Sequence, residues 1–357
     1  MKNAIIVLAI LICSLIPTVA ATAQQTPTQP TAPQSEETPS SPREPSPELE
    51  RPSVWGEPTT VNMLIYVIDV DVVNSADQNF AASVYYEARW NSPILRHKGP
   101  APLIRGTTGI WTPRLTIVNQ QQAWTSFPAI VEISPDGDVG FRQKIWGWFS
   151  QPLDLRDFPL DRQTLKIHII AVGLLESQVA LTPLVKEHGR SSAIAKQFSL
   201  PDFAVVSWKA WPQPYVPFEG EVGIPGFVME IDVQRQTNYY VWKIIFPLCL
   251  IVIMSWIPRW IDPTQIGANI GIAATSFLTL VAYLFAVAHL LPRVSYFTRM
   301  DQFILLSTLM VFISLLQTAI TTTLITRKTP LMARIEGWSR IVYPVMLLAV
   351  LGVSFGL

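Results

Sequence analysis

Residues 266–291 read IGANIGIAATSFLTLVAYLFAVAHLL, 26 positions without an Asp, Glu, Lys or Arg. A run of that length and composition suits a helix crossing the roughly 30 Å hydrocarbon layer of a bilayer. It is not uniformly apolar. Gly271, Thr275, Leu278, Ala282, Phe285 and His289 follow one another at steps of 4, 3, 4, 3 and 4, which places all six on one helical face. That face is small or polar at its inner end, apolar in the middle and polar at its outer end. A helix lining a water-filled path has this profile. So does a bundle helix whose small and hydroxyl residues let neighbours pack closely. Periodicity alone leaves both readings open.

Three more apolar segments flank this one, at 239–260, 301–325 and 336–357, each about the 20 residues that a membrane span requires. Four spans behind a cleaved leader put both mature ends outside. Arg259, Arg327, Lys328 and Arg334 would then be cytoplasmic, while Arg293 and Arg299 would be external. The link between the third and fourth spans is too short for a cytoplasmic domain.

Residues 53–238 have a different texture. Short alternating runs, such as Val61 to Val70, Ala81 to Trp90, Thr164 to Val172, Phe203 to Trp211 and Gly226 to Arg235, are separated by turn signals such as Ser134-Pro135-Asp136-Gly137. Short strands at this spacing predict an all-β sandwich. Leu184 to Gln197 is the one stretch that could hold a short helix. Ahead of it all, residues 1–23 read as a secretory signal peptide, with Lys2, an apolar run from Ala4 to Ile16 and small residues at 20–23. Residues 24–52, rich in Pro, Gln, Thr, Ser and Glu, have little to bury and read as a disordered tether.

Composition closes off other classes. The chain has 357 residues, 49% hydrophobic and 15% charged, with Lys+Arg 26 balancing Asp+Glu 26. That balance gives no electrostatic footprint for nucleic acid. Cys13 and Cys249 each lie in an apolar run and support neither a disulfide framework nor a cysteine zinc site. There is no nucleophile–base constellation, phosphate loop or metal-ligand cluster, so neither an enzyme nor a cofactor is expected.

The run Ser150-Gln151-Pro152-Leu153-Asp154-Leu155-Arg156-Asp157-Phe158-Pro159-Leu160-Asp161-Arg162-Gln163-Thr164-Leu165 resembles the signature loop of pentameric ligand-gated ion channels, the Cys-loop receptor superfamily. Gln151 and Leu165 stand where animal members have their paired cysteines, as in prokaryotic members without the disulfide. Three other motifs are similar to the same family: Ile110-Trp111-Thr112-Pro113 with Asn119, Arg235 twelve residues before Pro247, and Leu278 to Tyr283 with Leu291-Pro292-Arg293.

The resemblance implies a β + α membrane protein: an extracellular or periplasmic immunoglobulin-like β-sandwich followed by a four-helix transmembrane bundle, in the cell (inner) membrane. It implies a homopentamer in the lipid bilayer, with five copies of residues 266–291 around one pore for inorganic ions. Leu278 and Phe285 would then form apolar rings that gate by dewetting. Thr275 would offer hydroxyls, Gly271 would widen the inner end, and His289 would form an outer imidazole ring. Asp161 and Arg235 become a coupling pair, with Pro159 beside them and Arg293 to Met300 as the receiving loop. The matching place for a third, acidic partner falls near Asn74-Ser75.

The agonist, a small molecule or protons, would act between neighbouring β domains on Tyr85, Phe127, Trp211, Tyr215 and Phe218, an aromatic set able to hold a cationic amine. Gly267 and Ala268 occupy places where cation channels carry an acid, and Asp262 is the nearest one. Overall similarity still points to passage of monovalent cations. An anion-selective channel of the same fold and a non-conducting membrane-anchored sensor are the alternatives.

Overall fold

Alternation between inward apolar and outward polar side chains marks several of the twelve strands among the described residues of the computed structural model, which cover 47–52, 56–184, 191–326 and 331–356. The proposed signal peptide and residues 24–46 of the proposed tether lie outside them. The strands are β1 (Thr59–Asn74), β2 (Asn79–Asn91), β3 (Leu103–Gly106), β4 (Leu115–Ile117), β5 (Gln120–Thr125), β6 (Ile130–Ile133), β7 (Asp138–Ser150), β8 (Arg162–Ala171), β9 (Val179–Pro183), β10 (Ala193–Ile194), β11 (Phe203–Pro212) and β12 (Gly226–Arg235). One sheet runs β10-β1-β2-β7-β6-β3, with β5 beside β7 and β9 beside β1; the other runs β11-β12-β8-β4. Met63, Ile65, Val84 and Phe149 from the first share one buried core with Leu165, Ile167, Ile169, Phe227, Met229 and Ile231 from the second. This is the expected sandwich.

The predicted turn at 134–137 ends on Gly137 at φ +84°, where a Cβ would lie 2.6 Å from the carbonyl oxygen of Ser92, so only glycine fits. Within the described part of 184–197, Ala193–Ile194 adds to β1 as a parallel strand rather than forming a helix; residues 185–190 lie outside the described set. Residues 47–52, the end of the predicted tether, are structured. Glu48 pairs with Arg105 at 2.9 Å, and Arg51 Nη1 donates to Gln178 O at 2.7 Å.

Four helices long and apolar enough to cross a membrane follow: α1 (Asn238–Arg259), α2 (Ile266–Val287), α3 (Arg299–Thr326) and α4 (Leu331–Phe355). α1 is not uniform. It opens through a π-wide stretch, Val241–Ile245, just before Pro247, and closes through a 3-10 turn, Ile257–Arg259, containing Pro258. Prolines remove backbone donors at both places. α2 ends at Val287, four residues before the predicted boundary and ahead of Pro292. Leu250, Ile253, Leu309, Phe312, Ile341 and Leu348 face outward, as lipid-facing residues do. Exposed Trp242 in the first span and Trp260 directly after its last residue lie eighteen positions apart. At 1.5 Å per residue they bracket about 27 Å, matching an aromatic belt at each interface.

Candidate functional site

α2 has two faces in the single chain. Asn269, Ala273, Ser276, Leu280 and Val287 are buried, where α2 packs on α1 and α3. The opposite stripe, Gly271, Thr275, Leu278, Ala282 and Phe285, is exposed throughout: Leu278 is 69% and Phe285 74% accessible, against 0% for Leu280. Five of the six residues placed on one face by spacing are therefore on one open helical face. His289 is the correction. It is exposed in the turn after Val287, not on the helix, because the chain is already leaving helical geometry ahead of Pro292.

Arg259, expected on the cytoplasmic side, is turned into the bundle. It is 4% exposed, and its guanidinium donates to Thr318 Oγ1 (2.9 Å) and to Ser314 O (2.8 Å). Asn269 is also turned inward and donates to Asp262 O at 3.1 Å. Asp262 is exposed, and bonds from the backbone N–H and then the hydroxyl of Thr264 hold its carboxyl below the usual range.

The junction between the two halves is built on one buried ion pair. Arg235, the last residue of β12, meets Asp161 through Nε–Oδ1 (2.7 Å) and Nη2–Oδ2 (3.1 Å), with side-chain accessibilities of 3% and 1%. This bidentate geometry is the strong form of the interaction. Phe203, Phe158 and Tyr240 present their rings to the guanidinium at 4.3, 5.0 and 5.9 Å. Gln163 Nε2 donates to Asp161 Oδ2 at 2.8 Å. The third partner is Ser75, whose hydroxyl accepts from Arg235 Nη2 at 3.0 Å. An uncharged residue thus fills the place where the sequence left an acid in doubt.

The signature loop docks on the segment before α3. Tyr296 Oη accepts from Leu155 N (2.8 Å) and donates to Leu153 O (3.2 Å). Arg299 Nε meets Asp157 Oδ1 at 2.7 Å, and the backbone N–H groups of Arg299 and Met300 donate to Arg156 O and Phe158 O. Pro159 is buried beside them, joined to Phe158 by a cis peptide bond. Arg293 is exposed, and among the described residues no hydrogen bond or ion pair ties it to this loop. Within the expected receiving loop, 293–300, it is Tyr296 and Arg299 whose side chains make the contact. Gln151, in the first cysteine position, closes the loop through its amide: Nε2 donates to Thr164 O, and Oε1 accepts from Lys166 N at 2.8 Å.

The five proposed ligand-site aromatics fall in two groups on different sheets. Tyr85 and Phe127 meet edge-on at 6.3 Å on the β2–β7 face. Phe127 lines a cavity of about 370 Å³ with Ile104, Glu132 and Arg142. Next to it Glu87, 1% exposed, takes Arg89 at 2.6 Å and Arg142 at 3.4 Å. Burial works to raise the Glu87 carboxyl, but the two guanidinium groups outweigh it and leave it lowered. On the other sheet Trp211 lies under Lys209 Nζ at 4.5 Å, and Tyr215 stands edge-on to His168 at 5.6 Å. Phe218 is 67% exposed in the β11–β12 loop. Asn119 donates to Lys166 O at 2.8 Å, and Trp111 packs edge-on against Trp90.

A sandwich ahead of four membrane helices, joined through a buried arginine and a loop seated on the third helix, defines a membrane receptor of the ligand-gated channel class. Residues 47–219 match the family model for the neurotransmitter-gated ion-channel ligand binding domain, and residues 244–353 match that for the neurotransmitter-gated ion-channel transmembrane region. The chain belongs to the neurotransmitter-gated ion-channel family, whose members are ligand-gated channels rather than enzymes. It is a multi-pass membrane protein with an extracellular N-terminal domain. It is similar to a gamma-aminobutyric acid receptor subunit beta of Caenorhabditis elegans, at 24% identity over 282 residues, 75% of this chain and 50% of that protein. The chain thus spans about half the length of this curated relative.

Proposed function

We propose that five copies of this chain form a ligand-gated pore lined by α2, with Leu278 and Phe285 as apolar constrictions. The observation that carries this reading is the open stripe from Gly271 to Phe285, whose opposite face is packed into the bundle. Thr275 and Thr279 also place hydroxyls on the open side of this helix, as the wall of a water-filled path would. A narrow ring of leucines sheds water and stops ions until it widens. Leu278→Ala should therefore shift activation to weaker stimulus by tenfold or so, about 1.4 kcal/mol. Unchanged activation in oocyte recordings would remove Leu278 as the gate.

The pore passes monovalent cations in this reading. The open stripe carries no fixed charge, Arg259 is turned into the bundle, and the ionised Asp262 is exposed at the inner end. Reversal potentials in a NaCl dilution gradient test it; a shift toward the chloride potential would make the channel anion-selective.

The agonist binds between neighbouring sandwiches, where the Tyr85–Phe127 face of one copy meets the Trp211–Tyr215–Phe218 hairpin of the next. Aromatic faces suit an ammonium group. The likeness to a gamma-aminobutyric acid receptor subunit adds small amino acids to the amines worth screening. Protons are the rival agonist, decided by recording across a pH series before any amine is added.

A further inference from the structure

We infer that the hydroxyl of Tyr283 positions the pore helix by tying it to the entry turn of α1, an inference that rests on the pore reading above. Pro247 has no N–H to offer the carbonyl of Lys243 four residues earlier. The backbone passes this point through the π-wide stretch Val241–Ile245, where Phe246 N reaches back five residues to Val241 O. A proline inside a helix leaves a carbonyl of the preceding turn without its donor, and a membrane supplies none. Tyr283 Oη lies 2.8 Å from Ile244 O and 3.2 Å from Lys243 O.

Tyr283 is half-buried and follows Ala282, between the constrictions at Leu278 and Phe285. Its bond therefore fixes the rotation of α2 about its own axis at the level where the gate is set. The other end of this contact lies eight and nine residues after Arg235, on the helix that begins at Asn238. The ion pair with Asp161 thereby reaches the pore helix through α1 alone, in parallel with the route through Tyr296 and α3.

The test uses the full chain in liposomes with Cys13 and Cys249 replaced by serine and one reporter, Leu278→Cys or Phe285→Cys. Reaction rates with an ammonium-bearing methanethiosulfonate are measured in four backgrounds: unchanged, Tyr283→Phe, Pro247→Ala, and both. Tyr283→Phe should change the rate at one reporter by about threefold or more, the scale of one hydrogen bond between membrane helices. Assembly size should stay unchanged. Pro247→Ala restores a backbone donor to Lys243, so adding Tyr283→Phe there should have less than half that effect. Equal rates with and without the hydroxyl, or the same change in both backgrounds, would overturn the assignment. Absence of reaction at both reporters in every background would instead remove the pore reading. The four melting midpoints then decide the contact: a loss confined to the Pro247 background supports it, and additive losses refute it.

Discussion

Arg235 carries a full charge into a site where it is almost inaccessible, and it is tolerated there because every neighbour answers it. Asp161 takes two of its donors, Ser75 a third, and three aromatic rings cover the rest. Removing one member of such a pair leaves the other charge buried, at a cost on the order of 3–5 kcal/mol. Arg235→Ala and Asp161→Asn should each lower the melting midpoint and abolish current in surface-expressed protein. Ser75→Ala should cost only about 1 kcal/mol and leave current intact. Normal current from Arg235→Ala would refute the coupling role. The ion pair was legible because a specific loop motif and a premembrane arginine are both short-range signals. For Ser75 and Tyr296 the resemblance gave only the neighbourhood, Asn74-Ser75 and the loop 293–300, because a serine in a turn and a tyrosine in a loop acquire their contacts only when distant segments meet.

Elements tell a similar story. β7 is thirteen residues long and central to its sheet, yet its sequence does not announce a strand. Its inward positions include Gln143 and Gly147, while Trp146 and Trp148 point outward, so the polar–apolar alternation is scrambled. Gln143 is accepted in the interior because its amide satisfies the backbone of Phe127. The α2 stripe was readable because its spacing survives any context, but its boundary at Val287 was not, since hydropathy continues to Leu291.

The β11–β12 hairpin rests on His168, whose Nε2 lies 2.9 Å from Gln213 O. Burial lowers the His168 value below that of free histidine, only partly opposed by the Gln213 carbonyl, and Lys166 lowers it further. The unfolded chain therefore binds this proton more readily than the folded one. The stability involved is complete above the unfolded value, near 6.5, and is lost as pH falls through the lower folded value. Acidification from about pH 7.5 to 5 should loosen residues 213–226 in hydrogen exchange, and His168→Gln should flatten that dependence. An unchanged pH profile in the variant would show that other groups titrate instead.

At the scale of the whole molecule, the two aromatic groups belong to different sheets of one sandwich, so a pocket using both needs two copies. Tyr85→Cys and Phe218→Cys placed in separate chains should cross-link when co-expressed; bridges formed only within a chain carrying both would refute a shared site. The closure of the signature loop bears on a different matter. Where animal relatives use a covalent bridge, Gln151 clasps β8 with its side-chain amide, and among the described residues the sole thiol is Cys249, within α1. Thiol–disulfide chemistry therefore has nothing to act on in the outer half. Dithiothreitol should leave currents and melting unchanged, whereas Gln151→Ala should soften the loop by roughly 1–3 kcal/mol, for two lost hydrogen bonds. Folding of this loop would then need no oxidising compartment or disulfide isomerase, because its closure is made by hydrogen bonds that form as the strand pairs.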